Sequence, residues 1–211
     1  VDSDGDQDLI TANEFGFDVG IHHNDGHGVC THYGNSTLWS DDGMEQSPYQ
    51  VYAISQGAQP AHALVMTRPV FGSEGPQIAR LVSGQSKDVV WQTEWSNEDT
   101  QGGPTIVKPT DCNGDGFTDL VLRFERPSES GHQLAIMIGQ TDGTGFGPSR
   151  PLSLSTIAGQ IDAIELSDIS GDGYTDLLAL KASSNQTIEL FGRGDCSFER
   201  VGILNHTEGA S

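Results

Sequence analysis

The stretch DCNGDGFTDLVL (residues 111–122) returns in near copy as DISGDGYTDLLAL (residues 168–180), 57 residues further along the chain. In the first copy Asp111, Asn113 and Asp115 alternate with Cys112 and Gly114, and Asp119 follows just before an apolar run. In the second, Asp168, Ser170 and Asp172 alternate in the same way and Asp176 closes the loop. Alternation lets one set of side chains converge on a point, while the glycines let the backbone turn. Hard oxygen ligands, several of them anionic, with no His or Cys among the converging positions select calcium over zinc or copper. The seventh positions, Phe117 and Tyr174, would add backbone carbonyls. Ser170, neither charged nor an amide, should make the second site the weaker one.

The opening of this pattern is shared with the EF-hand loop, which requires a bidentate Glu at position 12. Here position 12 is Leu122 or Ala179, and a β-type run follows instead of an amphipathic helix. The EF-hand reading is therefore set aside.

With Leu120 and Leu177 as equivalent positions, the opening DSDGDQDLI joins the series through Leu9, and Leu64 in QVYAISQGAQPAHALVMTRP falls at the remaining rung. The intervals are 55, 56 and 57 residues, the sequence signature of an array or propeller. Each repeat reads as four short strands. The first enters the loop (QVYAIS, PTIVKPT, IDAIELS) and the second leaves it (DLITANEF, HALVMTR, DLVLRFE, DLLALKA). The third is DVGIHHN, PQIARLVSG, QLAIMIGQ or TIELFGR, and the fourth is DVVWQTEW, RPLSLS or FERVGIL. Four strands in this span make a propeller blade. The expectation is an all-β chain, a single β-propeller segment of about four blades, with repeats near 1–49, 50–103, 104–160 and 161–211.

The first repeat lacks its opening strand, and in register its first loop Asp would precede Val1. A fragment is expected, whose open sheet edges further blades from the same chain or a partner would cover. The first loop retains Asp2, Asp4 and Asp8 as ligands, with Asp6 at the carbonyl position. In the second repeat the equivalents are Ser55, Gly57, Gln59 and Ala63, which leaves no carboxylate to bind calcium.

With these loops and strands in place, the D-x-[DNS]-x-D-G-x-x-D-L pattern, the β run after it and the GQTDGTGF and GRGDCSF turns resemble the FG-GAP/VCBS repeat family, known from the integrin α-subunit propeller. The resemblance covers nearly the whole chain, and the second repeat departs from it. It implies a β-propeller, commonly seven-bladed, with calcium held between a blade's first two strands. It also implies roles in adhesion, glycan binding or as an accessory domain of secreted enzymes.

The 211 residues carry 30 acidic and 10 basic side chains, a net charge of −20, which argues against nucleic acid or anionic membranes as partners. No apolar run approaches the roughly 18 residues of a membrane span. Three cysteines, Cys30, Cys112 and Cys196, leave at least one thiol free or paired outside the chain. Asn35, Asn185 and Asn205 open N-x-S/T sequons, which points to a glycoprotein of the secretory route. An extracellular or cell-surface location follows as an expectation.

Other features read more plainly. Arg193, Gly194 and Asp195 spell the adhesion tripeptide, which one substitution in the usual turn would create. IHHNDGHGVCTH gathers His22, His23, His27, Cys30 and His32, but His22 and His23 are adjacent on a strand and face opposite ways, so they read as surface histidines on a hairpin. Trp39, Trp91 and Trp95 serve a core as readily as a sugar-stacking surface. No catalytic residue stands out, so no enzyme activity is assigned. The reading is a secreted calcium-stapled module that binds protein or glycan. The alternatives are an accessory propeller of a larger secreted lyase or hydrolase and a structural assembly module.

Overall fold

A computed structural model of the chain describes residues 5–39, 45–54, 62–69, 77–83, 90–95, 104–124, 133–152 and 160–206. The described residues are all-β apart from one short 3-10 turn at Ala182–Ser184. Within each sheet the strands pair antiparallel in sequence order, so the sheets are meanders of the blade type.

The chain divides into two compact units, residues 1–99 and 100–211. The first unit holds β1 (Leu9–Asn13), β2 (Asp18–Asn24), β3 (Cys30–Trp39), β4 (Glu45–Ile54), β5 (His62–Pro69), β6 (Gln77–Ser83) and β7 (Val90–Trp95). They form one seven-stranded sheet in that order, but β3 and β4 are joined only at Leu38↔Gln46 and Trp39↔Glu45. A three-stranded group and a four-stranded group are thus linked by one short bridge. Val19, Val65 and Ala79 form the buried seam between them, flanked by Ile10 and Val51.

Two strands depart from the sequence reading. β3 has no counterpart in it, because THYGNST is polar and carries Gly34, whereas the apolar pattern is the main strand signal. β4 begins five residues before QVYAIS, running through Pro48, and the ladder skips Tyr49 to accommodate it. Proline within a strand is tolerated at such irregularities, which is why it misleads a reading by pattern.

The second unit holds two four-stranded sheets. One is β8 (Pro104–Thr110), β9 (Asp119–Phe124), β10 (Leu134–Met137) and β11 (Arg150–Pro151). The other is β12 (Ala163–Ser167), β13 (Asp176–Lys181), β14 (Gln186–Gly192) and β15 (Phe198–Asn205). β10 is shorter than QLAIMIGQ suggested, although Gly139 and Phe146 still form an isolated bridge, and the end of RPLSLS from Ser153 lies outside the described residues. Val121, Leu134 and Ile136 of the first sheet pack against Leu177, Ala179, Ile188 and Leu190 of the second. Leu122 and Ala179, the residues at the EF-hand glutamate position, are fully buried strand residues.

Polar ties join the same two sheets at both ends. Lys108 Nζ lies 2.9 Å from Glu165 Oε2, and Thr110 Oγ1 lies 3.2 Å from Thr175 Oγ1. At the far end the buried Arg123 donates from Nε to the Ile161 carbonyl at 2.7 Å and from Nη1 to Thr105 Oγ1 at 2.6 Å. Gln133 accepts the Ile161 N–H at 2.6 Å. A buried guanidinium with carbonyl and hydroxyl acceptors satisfies the rule that buried polar groups keep hydrogen bonds.

Candidate metal centre

The loops from Asp111 and Asp168 each join the first strand of a sheet to its second, and their first and fifth residues make the same backbone bonds. Asp111 Oδ1 accepts the N–H groups of Gly114 (2.8 Å) and Asp115 (3.2 Å), and Oδ2 accepts that of Gly116 (2.9 Å). Asp168 does the same with Gly171 (2.7 Å), Asp172 (3.2 Å) and Gly173 (2.9 Å). Asp115 Oδ1 accepts the Phe117 N–H and Asp172 Oδ1 the Tyr174 N–H, both at 2.9 Å. Such folding requires positive φ at alternate residues, supplied by Gly114 (74°), Gly116 (84°), Gly171 (77°) and Gly173 (90°). At the third position Asn113 both accepts the Asp115 N–H (3.0 Å) and donates to Asp115 Oδ2 (2.9 Å). The Ser170 hydroxyl lies 3.4 Å from Asp168 Oδ1 and also reaches Asp176.

Position nine is set deeper than the other acidic positions. Asp119 and Asp176 are fully buried, whereas Asp111, Asp115, Asp168 and Asp172 are exposed. Asp119 Oδ1 accepts the Gly139 N–H at 2.9 Å and Oδ2 the Cys112 N–H at 3.0 Å. Asp176 Oδ1 accepts the Gly192 N–H at 2.8 Å, and Oδ2 accepts those of Ile169 and Ser170 at 2.9 Å. In the first repeat Asp8 Oδ1 accepts the Asn24 N–H at 3.0 Å. The ninth Asp is thus a latch between its loop and the end of the third strand in all three repeats. Gly139 and Gly192 are needed there: a Cβ on either would lie far inside contact distance of the Thr118 or Thr175 carbonyl oxygen.

The two latches differ electrostatically. Burial pushes the Asp119 carboxyl above its ordinary value, the Gly139 and Cys112 N–H groups offset part of this, and the charges of Asp115 and Asp111 push it further up. Burial also acts upward on Asp176, but the N–H groups of Gly192, Ser170 and Ile169 outweigh it and hold that carboxyl below its ordinary value.

Cys112 and Cys196 form a disulfide across 84 residues, tying the 111–119 loop to the β14–β15 turn. Both sulfurs touch Asp119 Oδ2, at 3.0 and 3.1 Å. Among the described residues, the group of three metal-ligating side chains whose ligand atoms meet within 4.8 Å is Cys112, Asp119 and Cys196, not Asp111, Asp115 and Asp119. The cysteines' pairing takes them out of metal chemistry. The signal for this bond lay in the turns. Asp142 accepts the Thr144 N–H (2.9 Å) and hydroxyl (2.7 Å) as Asp195 accepts those of Ser197 (2.9 and 2.5 Å), so Gly143 and Cys196 are equivalent. Both hold positive φ, 72° and 61°, and a cysteine in a glycine's place marks a special duty.

The oxygens of the 111 loop fit a hard divalent cation. Asp111 and Asp115 retain lone pairs beyond those used by the loop's N–H groups. A carboxyl raised first by burial and further by two neighbouring carboxylates is an imbalance that such a cation would relieve. Of the first loop, Asp6 and Asp8 are described, with Asp6 Oδ2 beneath Gly26, while Asp2 and Asp4 lie outside the described residues. So do Ser55, Gly57 and Gln59 of the second repeat; its Ala63 is buried in β5.

The remaining sites are placed as follows. Asn35, Asn185 and Asn205 are exposed. Asn35 donates to Asp18 Oδ2 (2.7 Å), Asn185 to the His206 carbonyl, and Asn205 accepts from Gln186 (2.9 Å). In the adhesion-like tripeptide, Arg193 pairs with Glu199, Gly194 lies under the Tyr174 ring, and Asp195 caps Ser197. The tripeptide is a closed turn, not a protruding loop.

The fold is that of β-propeller blades, and its loops are of the calcium-loop pattern. Residues 111–179 match the FG-GAP-like repeat, the family their sequence resembles. Among solved structures, the chain is similar to a lectin of Agrocybe aegerita, described for specific recognition of non-reducing terminal N-acetylglucosamine. The match has a TM-score of 0.56 and 14% identity, and covers 95% of this chain and 48% of that one. The chain therefore spans about half the length of that structure. No curated protein matches it.

Proposed function

We propose that the chain is an extracellular binding module in which calcium, held by the 111–119 and 168–176 loops, fixes hairpins that carry a glycan- or protein-binding surface. The observation that carries this reading is that the first and fifth residues of the two acidic loops make the same backbone bonds. Asp111, Asn113, Asp115 and the Phe117 carbonyl would hold one ion, with Asp119 behind them. Asp168, Ser170, Asp172 and the Tyr174 carbonyl would hold the other, with Asp176 behind them. The ion supplies positive charge that neutralises clustered carboxylates, so binding adds to folding stability. The chain's own residues do the rest: the first Asp of each loop folds it, and the ninth joins it to the third strand.

The disulfide and the three exposed sequons support an oxidising, secretory setting. A glycan ligand is supported by the fold shared with the lectin, and adhesion through protein contacts is the companion reading. The module is non-catalytic, whether it acts alone, as the accessory propeller of a larger secreted lyase or hydrolase, or in assembly. A glycan array probed with the calcium-loaded chain, including glycans ending in N-acetylglucosamine, tests the glycan reading. Calcium-dependent capture of particular glycans is expected, and uniform silence would leave the protein-ligand version.

A further inference from the structure

The 111 loop has a covalent tie that the 168 loop lacks. Cys112, second in the loop, is bonded to Cys196 in the β14–β15 turn of the following repeat. Its counterpart in the 168 loop is Ile169, which is exposed. The two ninth carboxylates differ to match. Asp176 Oδ2 accepts two N–H groups of its own loop, from Ile169 and Ser170, both at 2.9 Å. Asp119 Oδ2 accepts one, from Cys112 at 3.0 Å, and otherwise meets the two sulfurs. The 111 loop is thus held to its anchor by one backbone bond fewer and to the next repeat by a covalent bond. The far end of that bond is itself fixed: Arg193 donates its N–H to the Ser197 carbonyl at 3.1 Å, and Asp195 accepts the Ser197 N–H at 2.9 Å.

Cys112 stands between Asp111 and Asn113, so fixing its position also fixes theirs. A cation in this loop needs the oxygens of Asp111, Asn113 and Asp115 to converge, which is the same closed conformation that the disulfide favours. Two agents that favour one conformation of a loop favour each other, and the coupling is reciprocal. Access to the sulfurs works in the same direction. Cys112 and Cys196 are 3% and 7% exposed, so a reductant reaches the bond only when the loop opens.

We propose that the Cys112–Cys196 bond is a redox control on calcium binding at the 111 loop. Oxidised, it holds the loop ready for the ion; reduced, it lowers that loop's affinity; and bound calcium shields the bond from reduction. This rests on the reading of the 111 loop as a calcium site. The reductant is a dithiol. One of its thiolates attacks a sulfur and forms a mixed disulfide, its second thiol displaces the protein sulfur, and it leaves as its own cyclic disulfide. Two electrons and two protons pass to the protein, and Cys112 and Cys196 become thiols. The 168 loop, with no such bond, keeps its affinity.

The test is the rate at which excess dithiothreitol reduces this bond in the intact Cys30→Ser chain, read by alkylation and mass measurement, in chelator and in calcium. If the opened loop does not hold the ion, calcium at about ten times the dissociation constant of the 111 loop should slow reduction roughly tenfold. Asp115→Ala should lose this protection, and Asp172→Ala should keep it. In calorimetry the reduced chain should bind calcium at least about fivefold more weakly at the 111 loop, with the 168 loop unchanged. Calcium bound at both loops with reduction equally fast in calcium and chelator would overturn the redox control and leave the calcium reading standing. So would protection lost equally in Asp172→Ala, which marks general stabilisation of the chain. No calcium bound by the oxidised parent would overturn both.

Discussion

Asp119 receives the N–H of Gly139, twenty residues along the chain, at 2.9 Å, and in doing so fastens an exposed acidic loop to the end of the third strand of its own sheet. The same bond recurs from Gly192 to Asp176 and from Asn24 to Asp8. The repeated unit is therefore a loop anchored to the third strand of its sheet.

The two anchors should respond differently to neutralisation. Asp176 takes three N–H groups as a carboxylate, so Asp176→Asn should cost about 2–3 kcal/mol in metal-free buffer. Asp119, crowded by Asp111 and Asp115, should lose less when replaced by Asn. Urea unfolding of both variants beside the parent checks the ranking, and equal losses would contradict it.

The raised carboxyl of Asp119 has a signed pH consequence. Its folded pKa lies above the ordinary value of 3.8, so the folded state holds a proton the unfolded state has released. Stability from this group is present below the unfolded value and falls as pH rises through the folded one. In metal-free buffer the stability of the parent minus that of Asp119→Asn should rise as pH is lowered from 7 towards 4. Asp176, with its lowered carboxyl, acts in the opposite sense: its contribution is present above 3.8 and is lost as pH falls through the folded value.

Removing the Cys112–Cys196 bond should lower stability by about 2–4 kcal/mol. Cys196 has φ 61°, where a non-glycine residue costs roughly 1–2 kcal/mol. In the Cys112→Ala background, Cys196→Gly should therefore melt above Cys196→Ala. The reverse order would contradict the equivalence of Cys196 with Gly143.

Gly192→Ala places a Cβ into the Thr175 carbonyl. Overpacking against backbone should cost about 1–3 kcal/mol and weaken calcium binding at the 168 loop more than at the 111 loop. Calorimetry on this variant checks both effects.

Much of this was legible in the sequence, for definable reasons. The D-x-[DNS]-x-D-G pattern fixes a loop through local bonds, and the Leu9, Leu64, Leu120 and Leu177 ladder marks the strand after it. β3 was not legible because its residues are polar and its pairing comes from β2. The start of β4 was hidden by Pro48. The burial of the ninth Asp was not legible because it depends on a glycine 16 or 20 residues away. The disulfide joins neighbouring repeats, so no local spacing announced it.

A calorimetric calcium titration of the intact chain, set beside Asp115→Ala and Asp172→Ala, tests the central claim most directly. The account predicts two saturable sites at these loops, the 111 loop the tighter, with each variant losing its own site and the melting temperature rising with occupancy. No saturable calcium heat in the parent, or a titration that both substitutions leave unchanged, would contradict it.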